Sequence, residues 1–401
     1  MQPAPSYPFA QRLGHVETSA IREVFKLLGR PGIISFAGGF PDSALFDVAH
    51  IEEAARQALA QQAAQALQYG ATEGFMPLRE QLAALMQSRG ADVQAQQLIV
   101  TTGSQQALDL IGKTLAEPGC KVIVEGPTFL AAIQCFRLYG AQVISAPADA
   151  HGVQPDALER LMEEHRPRFV YLIPTFGNPG GATLTLERRR RVLELAVRHQ
   201  TLIIEDDPYG QLWFDAPPPP SLLALTPEVP GSRDWIIHCG SLSKILSPGL
   251  RLGWMTAPLL AQAVMCKQFS DANTSAFAQA VAANYLAAGH LGQALENARR
   301  VYARRARVMG QALREQLGQA IAFTPPQGGL FIWARLTGAG GALADGAALA
   351  PKAIAQGVAF VPGAPFFATQ PDAATLRLSF ATAGEDDIRE GVARLARALR
   401  V

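Results

Sequence analysis

Leu202-Ile203-Ile204-Glu205-Asp206-Asp207-Pro208-Tyr209 starts as a short apolar run and ends in carboxylates and a turn. The run reads as a buried strand of a parallel sheet, with Asp206 and Tyr209 at its carboxyl end. Working outward, Lys121-Val122-Ile123-Val124, Phe169-Val170-Tyr171-Leu172 and Trp235-Ile236-Ile237 are runs of the same kind, and between about Leu98 and Thr256 they alternate with helical patterns. Strands separated by helices imply a mainly parallel sheet, so the fold class is α/β. Leu291 to Leu317 reads as one long helix with many arginines on its wet side, opening a smaller α/β domain. The expected division is a large domain over residues 46–290 and a smaller unit made of residues 1–45 and 291–401. Pro217 to Pro220 and the Gly/Ala-rich Gly338 to Ala350 read as loops or weakly specified segments. No internal repeat is visible.

A chain of 401 residues, 49% of them hydrophobic, is long enough for a sizeable core and two domains. Lys+Arg 35 against Asp+Glu 34 leaves a net charge of +1, which offers no broad basic field to nucleic acid. The locally basic Arg188 to Arg191 reads as a solvated face at the start of a helix ending near Val197. Cys120, Cys135, Cys239 and Cys266 are widely spaced without a C-x-x-C; neither a zinc site nor a disulfide framework is expected, and a reducing compartment fits. No other metal site is expected. Met1 to Ala10 lacks a basic start and an apolar core, so no signal peptide is evident. No apolar stretch is long enough to cross a bilayer. The expectation is a cytoplasmic protein without a membrane partner.

Ligands of open α/β sheets bind at the carboxyl ends of strands, so the residues just after each apolar run are the candidates for a site. After Trp235-Ile236-Ile237 comes Gly240-Ser241-Leu242-Ser243-Lys244-Ile245-Leu246-Ser247-Pro248-Gly249-Leu250-Arg251. A lysine amine forms a Schiff base with an aldehyde once neighbouring cations or burial lower its pKa. Ser241 and Ser243 can donate to a phosphate, Arg251 can pair with it bidentately, and the turn at Pro248-Gly249 lets Arg251 fold back beside Lys244. Together these groups suit a phosphorylated aldehyde, pyridoxal phosphate (PLP); a surface loop with solvated charges is the competing reading. Asp206 can pair with a pyridinium nitrogen and keep it protonated, and the Tyr209 hydroxyl can donate to the ring's phenolic oxygen, although Asp-Asp-Pro is also ordinary turn chemistry. Asn178, in Pro174-Thr175-Phe176-Gly177-Asn178-Pro179-Gly180-Gly181, comes after Phe169 to Ile173 and can donate to the same oxygen or simply belong to a turn. Thr101-Thr102-Gly103-Ser104-Gln105-Gln106 opens a helix whose free N–H groups, with the Ser104 hydroxyl, make a phosphate site; Ser104 as a plain helix cap is the alternative.

In chain order these four segments supply a phosphate cradle, a phenolic-oxygen donor, a pyridinium partner and a Schiff-base lysine. With them, the chain resembles the fold-type I PLP-dependent aminotransferases of class I and II, in the branch of 2-aminoadipate and kynurenine aminotransferases. The resemblance covers nearly the whole chain: Ser19-Ala20-Ile21-Arg22-Glu23, Ile34 to Pro41, Leu67-Gln68-Tyr69-Gly70, Thr72-Glu73-Gly74, Val361-Pro362-Gly363 and Thr375-Leu376-Arg377-Leu378-Ser379-Phe380 all take part. It implies Lys244 as the Schiff-base lysine, Asp206 as pyridinium partner, Asn178 and Tyr209 as donors to the ring oxygen, and Gly103, Ser104, Gln105, Ser241, Ser243 and Arg251 as the phosphate cradle. It further implies ring stacking by Phe129, where relatives usually have tyrosine, and a Tyr69 that reaches the phosphate in the other subunit of a homodimer with shared sites. Arg377 would bind the substrate α-carboxylate beside Gly38 and Gly39, and Arg22 matches a mobile arginine that meets a side-chain carboxylate in aminoadipate-using relatives. Gly177 and Gly180 depart from the family's Gln-Asn-Pro-Thr-Gly and leave the shape of that wall open.

The implied reaction is a ping-pong transfer of an amino group from an amino acid to a 2-oxo acid such as 2-oxoglutarate. A lyase or decarboxylase on the same fold would share every cofactor residue. An aminotransferase-like regulator would need a DNA-binding module, for which the roughly forty residues before Ala37 are expected to be too few.

Overall fold

The computed structural model describes residues 8–15, 32–339 and 344–400. Its N-terminal strand β1 (Ile34–Ser35) is short. The large sheet comprises β2 (Ile99–Thr101), β3 (Lys121–Gly126), β4 (Gln142–Asp149), β5 (Gly152–Val153), β6 (Phe169–Leu172), β7 (Leu202–Asp207), β8 (Ile236–Ser241) and β9 (Gly253–Thr256), in the spatial order β2-β9-β8-β7-β6-β3-β4-β5. The five strands from β8 to β4 are parallel. β9 runs antiparallel to both β8 and β2, so β2 points the same way as the parallel set.

This topology sets the site. The carboxyl ends of β2, β3, β6, β7 and β8 all lie along one edge of the sheet, and so do the residues next to them in the chain. Because β9 is reversed, with Gly253 opposite Ser241, the residues just before it, Arg251 among them, come to that same edge. β6 and β8 are buried along their whole length, as interior strands of a parallel set covered on both faces are.

A second, antiparallel sheet is built from β10 (Ile321–Phe323), β11 (Phe331–Leu336), β13 (Val361–Pro362) and β14 (Thr375–Ser379), in the order β10-β11-β14-β13, while β12 (Val358–Ala359) pairs with β1. The helix expected at Leu291–Leu317 has those bounds. Three readings need correction. Trp235 belongs to a 3₁₀ turn, Ser232–Trp235, and the strand starts at Ile236. Gly346–Ala355, which begins inside the segment read as a loop or weakly specified and runs past its end, is a helix: Asp345 accepts from the amides of Ala347 and Ala348 at 2.8 and 3.0 Å, and Leu349 and Ala353 are buried. Here capping and an apolar face overcame the weak glycine-rich pattern. Within the helix Leu186–His199, Arg188, Arg190 and Arg191 do pair with acids, but Arg189 is fully buried.

Candidate active site

The edge carries a cavity of about 400 Å³ whose wall includes Gly39, Ser104, Gln105, Phe129, Asn178, Asp206, Tyr209, Ser241, Ser243, Lys244, Arg251 and Arg377. The large sheet's edge supplies most of these residues, while Gly39 and Arg377 reach the cavity from outside that sheet. Phe40, Leu130, Gln134 and Phe366 complete much of the wall; no polarity pattern in the sequence singles these out.

Lys244 is half-buried and its Nζ donates to Gly39 O at 2.8 Å. Burial, with Arg377 and Arg251 nearby, pulls its amine down to about 8 from the ordinary lysine range, so a neutral nucleophile is accessible near neutral pH. The Ser243 amide donates to Ser241 Oγ at 3.1 Å, fixing the turn before the lysine. Arg251 takes a left-handed backbone conformation after the 3₁₀ turn Pro248–Leu250, which aims its guanidinium at the start of the helix Gly103–Leu115. A side chain at Gly103, where φ is +74°, would lie 2.7 Å from Arg251 Nη2; only glycine leaves room for the guanidinium against that helix start. Thr102 occupies the cap position, so Ser104 is a first-turn residue and not the cap. Ser104 and Gln105 line the cavity, where the hydroxyl and the first-turn amides can receive an anion.

Asp206 is buried, and the Tyr171 hydroxyl donates to its Oδ2 at 2.7 Å. Its Oδ1 is buried without a partner. Burial raises this carboxyl to about 6, Tyr171 works against the rise, and Asp207 adds to it. Asp207 itself is turned away from the cavity: it pairs with Arg89 at 2.7 Å and accepts from the Gly210 amide at 2.9 Å. The two adjacent acids are thereby distinguished.

Arg377 Nη1 donates to Asn178 Oδ1 at 2.9 Å and Nη2 to Ala37 O at 2.7 Å, and Nε has no partner. Its guanidinium lies over Phe331 at 4.4 Å and Phe366 at 5.1 Å, a cation–π setting that holds it flat. With Oδ1 taken by Arg377, the N–H groups of Asn178 remain as donors beside the Tyr209 hydroxyl. Gly177 and Gly180 do not line this cavity; they line a neighbouring one of about 300 Å³ with Gln327 and Trp333. Neither glycine contributes to the wall of the Lys244 pocket.

Arg189 is a residue whose role the sequence hid. It donates to Leu184 O, Pro220 O, Pro174 O and Thr175 Oγ1 at 2.8–3.1 Å, bracing the segment that carries Asn178. Its place in a run of four arginines disguised it. Tyr69 is 83% exposed and outside this cavity, and Arg22 lies outside the described residues.

The groups present fit PLP: an unpartnered buried carboxylate oxygen for a ring N–H, an amine of lowered pKa for an aldehyde, and hydroxyls, amides and a guanidinium for a phosphate. Residues 32–395 match the family described as aminotransferase class I and II. The chain belongs to that family. A 2-aminoadipate transaminase of Thermus thermophilus is 41% identical over 399 residues, covering 98% of this chain and 97% of that protein. The crystal structure of the α-aminoadipate aminotransferase of the same organism, complexed with N-(5'-phosphopyridoxyl)-L-leucine, is similar with a TM-score of 0.89 and 39% identity over 98% of this chain and 97% of that one. The Pyrococcus horikoshii kynurenine aminotransferase, in complex with PMP and its substrates and products, gives a TM-score of 0.91 and 37% identity over 98% and 96% of the two chains. This aminotransferase is therefore a PLP enzyme acting on amino acids. No helix among the described residues is long and apolar enough to cross a membrane.

Proposed function

We propose that the enzyme transfers the amino group of 2-aminoadipate and of aromatic or aliphatic amino acids to a 2-oxo acid such as 2-oxoglutarate, working as a cytoplasmic homodimer. The observation that carries this reading is the meeting of Lys244, Asp206 and Arg377 in one cavity with an apolar wall at Phe129, Leu130 and Phe366. Relatives named for aminoadipate and for kynurenine, and a leucine adduct in one of them, support a broad donor range.

Bound PLP supplies an aldehyde and a ring that withdraws charge from the substrate's Cα. Asp206 Oδ1 would accept from the ring nitrogen, and Asn178 and Tyr209 would donate to the ring oxygen. Ser104, Gln105, Ser241, Ser243, Arg251 and the amides after Gly103 would hold the phosphate. Arg377, aided by the Gly39 backbone, orients the substrate through its α-carboxylate. Lys244 Nζ would take the α-proton of the substrate and return it. Arg22 would meet the distal carboxylate of acidic substrates. Tyr69 would serve the partner's site; it and the neighbouring Leu67 are both exposed, as a surface meeting a second copy would be.

A screen of amino donors against 2-oxoglutarate, with glutamate formation as readout, tests the reading. Aminoadipate, leucine and an aromatic donor should all support turnover. Product release without need for any 2-oxo acid would instead indicate a lyase or decarboxylase.

A further inference from the structure

Tyr171 stands behind the cavity and does not line it. It lies on β6 opposite Ile204 of β7, so Asp206, two residues further along and on the same face, is its diagonal neighbour. Its hydroxyl donates to Asp206 Oδ2 at 2.7 Å, while Oδ1 is left without a partner. The ring is fully buried and held edge-on by Phe136 at 5.7 Å, which in turn packs edge-on against Phe169 at 4.9 Å. A tyrosine so enclosed has no second rotamer to adopt.

We propose that Tyr171 is a positioning residue for the cofactor's ring nitrogen: by occupying Asp206 Oδ2 it fixes the carboxylate so that Oδ1 presents its charge to the ring N–H. The inference rests on Asp206 being the partner of that nitrogen. A hydroxyl suits the task because it is a neutral donor. It satisfies one oxygen of a buried carboxylate without bringing a countercharge that would compete for the other. Burial beside Asp206 keeps the Tyr171 hydroxyl protonated far above the working range, so it donates at every relevant pH. The neighbouring polar groups are otherwise engaged: Asp207 with Arg89, and His238 with Glu205 at 2.9 Å. Cys239 opposite Asp206 on β8 is a buried thiol. Tyr171 therefore offsets part of the burial that drives Asp206 toward its neutral form, and a neutral Asp206 would hold a ring-nitrogen proton poorly.

Tyr171→Phe in the holoenzyme removes the hydroxyl and keeps the ring. Loss of one hydrogen bond to a charged group should weaken PLP binding by the cofactor-free chain about tenfold or more. The pH midpoint of the bound cofactor's absorbance should move upward by about one unit, because a less firmly protonated ring withdraws less charge. kcat should fall about tenfold to a hundredfold with KM for the amino donor unchanged. Phe136→Leu loosens the same packing without touching the hydroxyl, and should lower Tm while leaving the absorbance titration in place. The proposal is overturned if Tyr171→Phe titrates and binds PLP like the wild type, or if Phe136→Leu shifts the titration equally. Asp206→Asn separates the layers: an unshifted titration there refutes the role of Asp206 itself, whereas a shift in Asp206→Asn without one in Tyr171→Phe refutes only the role of Tyr171.

Discussion

Arg377 Nη1 and Asn178 Oδ1 are joined at 2.9 Å across 199 residues of chain, so the arginine placed for the substrate carboxylate and the amide placed for the ring oxygen form one unit. Arg377 arrives on β14 of the small sheet and Asn178 in the loop after β6 of the large one. Each fixes the orientation of the other. The amide of Asn178 is turned by the guanidinium so that its N–H groups face Tyr209, and Arg377 keeps Nε unpaired for a further acceptor.

Arg377→Ala should therefore impair both half-reactions whatever the substrate side chain. Two hydrogen bonds to a charged carboxylate correspond to a drop in kcat/KM of about a hundredfold to ten thousandfold. The absorbance of the bound cofactor should change as well, since Asn178 Oδ1 loses its donor. Arg377→Lys keeps the charge without the fork and should recover only part of the rate. Loss confined to acidic substrates would assign Arg377 to the side chain instead.

For Lys244 the expected outcome is a pH dependence. With its amine lowered to about 8 by burial and two arginines, the neutral form grows as pH rises through that value. The rate at which the cofactor-free chain recaptures PLP should rise with a midpoint near there, followed by stopped-flow absorbance. A midpoint in the ordinary lysine range would show the amine to be solvated. Lys244→Ala should abolish turnover and yet retain PLP through its phosphate, and borohydride reduction of the wild type should label Lys244 alone.

Asp206 gives a prediction about stability. Its carboxyl is raised from 3.8 to about 6 in the cofactor-free chain, so the folded state holds the proton more tightly than the unfolded one. The stability this contributes is complete below pH 3.8 and is lost as pH rises to about 6; the whole shift corresponds to about 3 kcal/mol. Cofactor-free Asp206→Asn should then unfold at a higher Tm than the wild type at pH 8, with the difference vanishing near pH 4. With PLP present, the wild type should regain the advantage and the variant should lose about a hundredfold or more in rate. A cofactor-free variant no more stable than the wild type at pH 8 would contradict the burial cost.

The polar residues of the cavity were legible in the sequence because each comes after an apolar run, and parallel strands bring the residues after such runs to one edge. Asp206, Asn178 and Ser104 stand out that way, whereas Lys244 and Arg251 stand out by their own chemistry, an amine flanked by two hydroxyls and followed by an arginine. Arg377 and Tyr69 came only with the family resemblance, since nothing local distinguishes an arginine within Thr375–Ser379 or a tyrosine after a helix. Tyr171 and Arg189 escaped for a different reason. The first looks like any aromatic residue in a buried strand and the second like one of four surface arginines, and their roles depend on neighbours that only the sheet register and the loop path supply. The helix at Gly346–Ala355 was masked by glycine and alanine, whose weak pattern hides the Asp345 cap.

Arg189→Ala should test the brace. It removes a buried guanidinium and strands Pro174 O, Leu184 O and Pro220 O, with an expected loss of about 3–5 kcal/mol read by chemical unfolding. Arg189→Lys cannot reach several carbonyls at once and should fall between. Near neutrality in the alanine variant would mean that water satisfies those carbonyls and that the loop bearing Asn178 is held elsewhere.

Tyr69, 83% exposed and apart from its own chain's cavity, yields the prediction that decides the assembly. If it donates to the phosphate in a partner's site, Tyr69→Phe should weaken PLP binding by about tenfold while leaving the fold intact. Lys244→Ala protomers retain Tyr69, and Tyr69→Phe protomers retain Lys244. In a twofold dimer, a heterodimer of the two contains one site with both residues and one site with neither. After random mixing about a quarter of all sites should be intact, so at limiting PLP the activity should exceed the mean of the two parent dimers. Subunit exchange can be followed by mass spectrometry of the intact assemblies. Exchange without any excess activity would place the tyrosine's role within its own chain, and a monomer by sedimentation would remove the shared site altogether.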